Sequence, residues 1–291
     1  MKPAAAAERV RCRLIADDDL PAVAGLLCEG FPGRARAVWE AGLTRMKLRE
    51  LPQSAPRYGY CLSAGERLVG VILLIASERL VNGTPAIFTN VASWYVNETY
   101  RAYAQLLVSI ALRNKETTYT NISPAPHTWS IVENQGYTRY CGGLFFALGL
   151  LTWPFAGTVI KQFDHDKHGH LMDSALLRRH RDMGCDVVVA EEPHRATGFV
   201  FRRFHVRGGR LPTPAMFAIH APAVGDITRL AGNLSRHFLC RAAPVIVLDA
   251  GGPIDGLTGF HTTARGRKYF KGPHRPALCQ HADSEFAVFG V

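Results

Sequence analysis

The sequence predicts an α/β (α+β) fold in two tandem domains, each a mixed, mostly antiparallel sheet flanked by helices. The length of 291 residues suits about two domains. Strand-like and helix-like segments follow the same order in both halves. Five residues also recur 128 positions later: Val96, Glu98, Arg101, Ala104 and Leu106 are repeated as Val224, Asp226, Arg229, Gly232 and Leu234. A repeat this long exceeds a solenoid unit and fits a duplicated small domain.

The first domain is predicted over residues 10–150. A strand at 10–15 precedes Asp17–Asp19, which supply an N-cap for a helix with apolar residues at helical spacing. A second helix at 38–48 leads to a hairpin, and the Asn82-Gly83 dipeptide predicts a tight turn. The predicted elements after helix 38–48 are strands 58–62, 68–76 and 87–95, helix 98–113, strand 118–122, helix 128–135 and strand 137–148.

The second domain is predicted over residues 171–291, after a linker at 151–170. Alternating and buried apolar runs predict its strands, and 3.6-residue spacing predicts its helices. Its predicted elements are helix 173–182, strands 187–191, 198–206 and 215–221, helix 226–240, strand 244–249 and a closing strand at 285–288.

Composition favours an ordered, cytoplasmic protein. The hydrophobic fraction is 47% without low-complexity tracts, and residues 1–11 lack the apolar core of a signal peptide. The longest apolar run, residues 144–155, contains Gly149 and Pro154 and falls short of the roughly 18 residues of a membrane span. The seven cysteines are scattered without a CxxC pair, which indicates reduced thiols.

The net charge of +10 predicts attraction to anions. A phosphorylated cofactor, a nucleic acid or an acidic membrane surface would each fit, and the charge alone does not choose among them. Basic pairs concentrate in the second half, which indicates an anionic partner there.

The stretch Val96-Asn97-Glu98-Thr99-Tyr100-Arg101 and the six residues after it, with Ser123-Pro124-Ala125 and Gly136-Tyr137 further on, resemble the GNAT superfamily of acyl-CoA-dependent N-acyltransferases. That superfamily has a strand, a phosphate-binding turn of consensus [QR]-x-x-G-x-[GA] and a helix. Arg101 matches the consensus, whereas Ala104 replaces the usual Gly and Leu106 the usual Gly or Ala. In the second half Arg229 and Gly232 match and Leu234 departs. Val132 stands where the family has a thiolate-protonating Tyr.

The resemblance implies a cofactor site in the first half. Backbone N–H groups at the helix start would hold a pyrophosphate, and a pantetheine arm would pair with a free strand edge where the strands ending near Tyr95 and Ile122 splay apart. The implied cofactor-binding residues are Trp94, Tyr95, Val96, Arg101, Ala102, Tyr103, Ala104, Gln105 and Leu106. Proton transfer would fall to Ser123, His127 or Tyr95.

Structural interpretations of the same residues stay open. Glu98 and Asp226 suit ordinary helix caps, and Ser123 beside Pro124 suits a rigid turn. Trp94 and Tyr95 suit core packing, as do the shared leucines at 106 and 234. The His- and Asp-rich segment 164–170 is explained by linker composition, so no metal is predicted.

The predicted activity is acyl transfer from acyl-CoA, or from the phosphopantetheine of acyl carrier protein, to a small-molecule amine and less often a hydroxyl. The first half would be active and the second structural or substrate-shaping. A non-catalytic binding or scaffold protein is one alternative. A transferase that uses aminoacyl-tRNA is another; otherwise no nucleic-acid partner, membrane span or metal is expected, and the oligomeric state is not predicted.

Overall fold

A computed structural model describes residues 9–53, 55–206 and 211–290, so residues 1–8, where no signal peptide is predicted, lie outside the described residues. The last residue of the second predicted domain, 291, also lies outside them. The chain divides into two units. The first comprises Met1–Thr120 and Gly272–His274, and the second comprises Asn121–Lys271 and Arg275–Val291.

The first unit is a five-stranded arrangement with two helices before the hairpin and one after it. The strands lie in the order β1-β2-β3-β4-β5; successive neighbours are antiparallel except β4 and β5, which are parallel. The elements in chain order are β1 Val10–Leu14, α1 Leu20–Gly30, α2 Arg36–Leu48, β2 Gly59–Ala64, β3 Arg67–Val81, β4 Thr84–Val96, α3 Ala104–Ala111 and β5 Thr118–Asn121.

The β3–β4 hairpin fixes the register of this sheet. Asn82 and Gly83 have φ values of 51° and 79°, and Val81 pairs with Thr84 across them. A two-residue turn with both central residues at positive φ matches the right-handed twist of the flanking strands, which is why Asn-Gly predicts it. The predicted turn is confirmed. The α1 residues Val23 and Leu27 are fully buried.

The second unit contains a seven-stranded sheet in the order β13-β7-β12-β11-β10-β9-β8 and the antiparallel pair of β14 with β6. In the larger sheet β11 and β12 are parallel, and the other neighbours are antiparallel. The elements are α4 Trp129–Asn134, β6 Thr138–Cys141, β7 Gly143–Ala147, β8 Val159–Gln162, α5 His165–His168, α6 Ser174–Asp182, β9 Asp186–Glu192, β10 Arg195–Val206, β11 Leu211–His220, α7 Val224–Leu239, β12 Val245–Ala250, β13 Gly259–Thr262, β14 Lys268–Lys271 and α8 Glu285–Val288.

The parallel strand pair shows the repeat directly. Phe88 pairs with Thr118 in the first unit, and Ala215 pairs with Val245 in the second, 127 residues later on both strands. In each unit the parallel strands are connected through a helix, α3 or α7. Each unit therefore carries the same strand-helix-strand core within a mixed, mostly antiparallel sheet, as the sequence predicts.

Four expectations about elements are wrong. The predicted helix 98–113 is a 3₁₀ helix at Glu98–Tyr103 followed by the shorter α3. The predicted strand 137–148 is two strands, of which β6 pairs with β14 and β7 with β12 and β13. Residues 285–288 form a helix and not the predicted strand. A short apolar run is compatible with either structure, so packing decides which one forms. Residues 159–162, predicted as linker, form β8 at the edge of the larger sheet.

Candidate functional site

The candidate site begins where β4 leaves β5. Their parallel pairing covers three residue pairs, Phe88 to Asn90 with Thr118 to Thr120, although β4 continues to Val96. On its other side β4 stays paired with β3 through Val96, with an irregularity beside Ser93, whose φ is 49°. Among the described residues of the first unit, the β5-facing edge of residues 91–96 therefore has no strand partner. An extended ligand can pair with such an edge as an added strand.

A capped turn follows this free edge. The Asn97 side chain accepts a hydrogen bond from the Thr99 N–H at 3.3 Å, and its carbonyl accepts one from the Tyr100 N–H at 2.9 Å. The 3₁₀ helix then runs to Tyr103 and α3 begins at Ala104. Thr and Tyr are weaker α-helix formers than Ala or Leu, which agrees with a delayed α-helix start.

The three predicted residues at the end of β4 differ in environment. Val96 is buried, and Tyr95 packs its ring against Gly30 so closely that a Cβ there would lie 2.4 Å from the ring. The indole Nε1 of Trp94 is shielded from solvent and has no hydrogen-bond partner within the described residues. A buried donor without an acceptor costs about 1–3 kcal/mol, and a ligand carbonyl would remove that cost.

The predicted phosphate-binding residues lie on an exposed turn. Arg101, Ala102, Tyr103, Gln105 and Leu106 are exposed, and Ala104 is partly buried. Arg101 contacts Glu98 at 3.3 Å, with 69% and 83% of the two side chains exposed, so this ion pair is weak. The prediction that Leu106 is core is wrong, because 40% of it is exposed, whereas its counterpart Leu234 is fully buried. Leu106 therefore does not fill the corner beside β4.

Ser123 and His127 belong to the second unit. The Ser123 hydroxyl donates to Oε1 of Glu285 at 2.5 Å, and this carboxylate is buried on α8. His127 is exposed in the 3₁₀ turn Pro126–Thr128 before α4. Glu285 was not identified from the sequence, because no local pattern links residues 162 positions apart.

In the second unit the equivalent strand gap is filled by the chain itself. Beyond its pairing with β12, β11 pairs with residues 279–281: the Ala221 N–H donates to the Cys279 carbonyl at 3.0 Å, and the His281 N–H donates to the Ile219 carbonyl at 2.7 Å. On the β12 side, the Cys279 N–H donates to Oδ2 of Asp249 at 3.0 Å. A ligand strand would have to displace this segment.

In the second half, the two residues that match the phosphate consensus, Arg229 and Gly232, contact other residues of the same chain. Arg229 forms a two-bond fork with Glu192 at 2.5 and 2.8 Å. This pairing raises the pKa of Arg229 and lowers that of Glu192, with burial opposing both shifts. A Cβ on Gly232 would lie 2.7 Å from the Thr152 carbonyl oxygen, so this glycine allows residues 152–153 to pack closely against α7. Arg236 donates to that carbonyl at 2.9 Å.

A buried charged cluster lies beside residues 279–281. Nζ of Lys268 is 2.7 Å from Oδ1 of Asp249, His281 Nε2 contacts Oδ2, and all three side chains are buried. Burial alone would raise the pKa of Asp249, but the charges and hydrogen bonds of His281 and Lys268 hold it well below its usual range. Burial raises the pKa of the Cys279 thiol well above its usual value. Asp249, Lys268 and His281 are far apart in the sequence and belong to no recognisable motif, so the sequence does not predict this cluster.

Side chains of the His- and Asp-rich segment 164–170 form hydrogen bonds within the protein. The Asp164 side chain caps α5 by accepting from the Asp166 N–H at 3.1 Å, and the buried His168 bonds Glu191 at 2.9 Å. The His168 hydrogen bond, with that of Lys161, lowers the pKa of Glu191. No group of three or more candidate metal ligands occurs in the described part of the chain, and none of its helices is long and apolar enough to cross a membrane.

Solved structures of GCN5-related N-acetyltransferases have the same fold as this chain. A GCN5-related N-acetyltransferase from Anabaena variabilis has a TM-score of 0.59 at 8% identity over 90% of this chain and 72% of its own. A GCN5-related N-acetyltransferase from Kribbella flavida has 0.59 at 13% over 91% and 71%. A probable N-acyltransferase from Enterococcus faecalis has 0.58 at 9% over 90% and 72%. The chain therefore has the GNAT fold in a tandem arrangement.

At this level of sequence identity the likeness establishes the fold, and the chemistry must be argued from the residues. No protein-family model matches the chain, and no curated protein matches it either.

Proposed function

We propose that this chain is an acyltransferase that moves an acyl group from acyl-CoA, or from the phosphopantetheine of acyl carrier protein, to an amine. The observation that carries the proposal is the contrast between the units. Among the described residues of the first unit, the edge of β4 beyond Asn90 has no strand partner, whereas the matching gap beside β11 is filled by residues 279–281 in the second. The first unit is thus the proposed donor-binding half. A cytoplasmic location stays a prediction.

The pantetheine arm is proposed to extend along residues 91–96. Its amide groups would bond the unpaired backbone of β4, as an added strand does. The Trp94 Nε1–H, which lacks an acceptor within the described residues, would donate to a carbonyl of this arm. The pyrophosphate would lie at the turn of residues 97–106, where Arg101 is exposed and only weakly paired.

The proposed reaction is aminolysis of a thioester. The amine nitrogen attacks the acyl carbon, the new C–N bond forms and the C–S bond breaks. The nitrogen loses one proton and the leaving thiolate gains one. We keep Ser123, His127 and Tyr95 as the candidates for these proton transfers, and a hydroxyl acceptor would follow the same scheme.

Calorimetric titration of the purified protein with CoA and acetyl-CoA tests donor binding. We expect Arg101→Gln to weaken CoA binding about tenfold, because a charge-assisted phosphate contact contributes roughly 1.5–3 kcal/mol. Lys115→Gln is the matched control, since Lys115 is an exposed cation of the same unit outside the turn. Absence of binding of CoA, acetyl-CoA and acyl carrier protein at millimolar concentration would remove the proposal.

Turnover separates an enzyme from a binding protein of the same fold. A thiol-reactive reporter records release of free CoA over a library of amines and amino alcohols. Release that depends on the acceptor supports transfer, whereas tight CoA binding without release across the library supports a non-catalytic role. Strong salt-dependent binding of charged tRNA would instead favour the aminoacyl-tRNA alternative.

A further inference from the structure

The first unit contains a second concave site, away from the end of β4. A pocket of about 350 Å³ lies on the α3 face of the sheet, near the C-terminus of α3 and the start of β5. Six residues that line it carry the argument: Tyr60, Leu74, Ile87, Thr89, Arg113 and Tyr119. Thr89 precedes Val96 by seven residues, which corresponds to roughly 20 Å along a strand. The pocket therefore lies away from the turn of residues 97–106, and its lining residue Thr89 comes two residues before the free edge at 91–96.

The walls of this pocket suit a small apolar body. Leu74, which is fully buried, lines the pocket together with the apolar residues Ala55, Pro56, Ile87 and Ala111. The volume is near the lower end of the roughly 300–1,000 Å³ found for small-molecule sites. A ligand with one ring or a short alkyl chain would occupy it.

The polar groups of the pocket suit one anionic group. Arg113, an exposed residue, is the one charged residue in its lining, and among the described residues its guanidinium has no carboxylate partner. Tyr119 is buried beside it, in a position where burial raises the pKa of its phenol and the Arg113 charge opposes that rise. The hydroxyls of Thr89 and Tyr60 add further hydrogen-bonding groups at the wall.

The nearby helix end limits the charge of the ligand. α3 ends at Ala111, and its C-terminal carbonyls carry a partial negative charge equivalent to about half an elementary charge. The full positive charge of Arg113 exceeds this, so a single carboxylate is favoured. A doubly charged phosphate would be opposed by the helix end and matched by only one cation.

We infer that this pocket binds a small monocarboxylate with an apolar body, with its carboxylate on Arg113 and its body between Leu74 and Ile87. Phenylacetate and hexanoate are suitable probes, and phenylacetamide is the uncharged counterpart of the first. Calorimetry or ligand-observed NMR with the full chain measures their binding.

We expect phenylacetate to bind about threefold more tightly than phenylacetamide, because Arg113 is exposed and solvent screens its charge, and Arg113→Gln to remove that preference. Lys115→Gln, the same charge change two residues along, should bind as the unaltered chain does. Thr89→Val gives a second test inside the pocket, with a smaller loss. Saturating CoA should leave phenylacetate binding unchanged.

Three results would overturn the inference: no phenylacetate or hexanoate binding at millimolar concentration, equal binding by the Arg113→Gln variant, or displacement of phenylacetate by CoA. The last result would place the carboxylate in the donor site. Because the probes are not acyl donors, this test can fail while CoA binding succeeds, and the reverse also holds.

Discussion

Gly232 and Gly25 both lie inside helices, but their surroundings differ. A Cβ at Gly232 would lie 2.7 and 2.8 Å from the carbonyl oxygens of Thr152 and Trp153. At Gly25 of α1 the nearest atom would be Nη1 of Arg36, at 3.8 Å. The consensus match at Gly232 thus has a packing cause in this chain, and a phosphate is not needed to explain it.

This difference gives opposite effects of one substitution. Gly25→Ala should stabilise the protein by about 0.5–1 kcal/mol, because Ala is the better helix former and the space is open. Gly232→Ala should lower stability despite the same propensity gain, since backbone atoms of residues 152–153 must move. Thermal and urea unfolding measure both variants. Equal stabilisation by the two would mean that the 152–153 segment does not press on α7.

Substitution of Ser123 tests the catalytic proposal directly. If its hydroxyl transfers a proton, Ser123→Ala should lower kcat about 10²–10⁴-fold with little change in KM. Ser130→Ala, which alters an exposed serine of α4, is the control. Turnover by Ser123→Ala within about twofold of the unaltered chain would assign Ser123 to the structural bond with Glu285.

At the scale of elements, what was predicted and what was missed have different physical origins. The Asn82-Gly83 turn and the helix α7 follow from local conformational preference and from apolar spacing, so short windows of sequence predict them. Residues 143–147 continue an apolar run from β6, and nothing local shows that they pair with β12 instead. Residues 285–288 are too short for periodicity to separate helix from strand.

In the candidate site too, local sequence predicts some features, whereas others depend on contacts between distant segments. The resemblance pointed to the end of β4 and the turn after it, because these residues are contiguous in sequence. Filling of the second gap by residues 279–281 depends on contacts between distant segments, such as Cys279 with Ala221 and Asp249. Single-sequence patterns do not contain that information. Leu106 and Leu234 depart from the consensus alike, and within it only Ala104 against Gly232 distinguishes the halves.

The buried cluster that joins β12, β14 and residues 279–281 should make stability depend on acid pH. The pKa of Asp249 is depressed in the folded chain, so its contribution is present above the unfolded value of about 3.9 and is lost as the pH falls through that value toward the lower folded pKa. Burial alone would lower the pKa of Lys268, but the Asp249 charge raises it overall, so its contribution is lost only at strongly alkaline pH.

Asp249→Asn should therefore flatten the acid limb of the stability profile and lower stability at neutral pH by about 3–5 kcal/mol, because Lys268 stays buried without its partner. Asp255→Asn, at an exposed position, should change stability by less than about 0.5 kcal/mol. Thermal unfolding between about pH 3 and pH 8 checks both. If Asp249→Asn destabilises too far to purify, Lys268→Met replaces it, with the same flattening of the acid limb expected. An unchanged acid limb in these variants would contradict the assignment.

For the whole molecule, duplication of one fold explains how the two halves diverged. Both units keep the parallel strand pair and its connecting helix. In the second unit the ends of the strands and the helix are covered by residues of the same chain, which stabilises the unit at the expense of ligand access. The first unit keeps a strand edge without a strand partner among its described residues, and the proposed donor site depends on this edge.

Hydrogen exchange of backbone amides, followed by mass spectrometry with and without saturating acetyl-CoA, tests this account most directly. We predict that the ligand slows exchange in peptides covering residues 91–106 and leaves peptides covering residues 219–234 unchanged. Slowed exchange in residues 219–234, with none in residues 91–106, would contradict the assignment of the first unit as the donor-binding half.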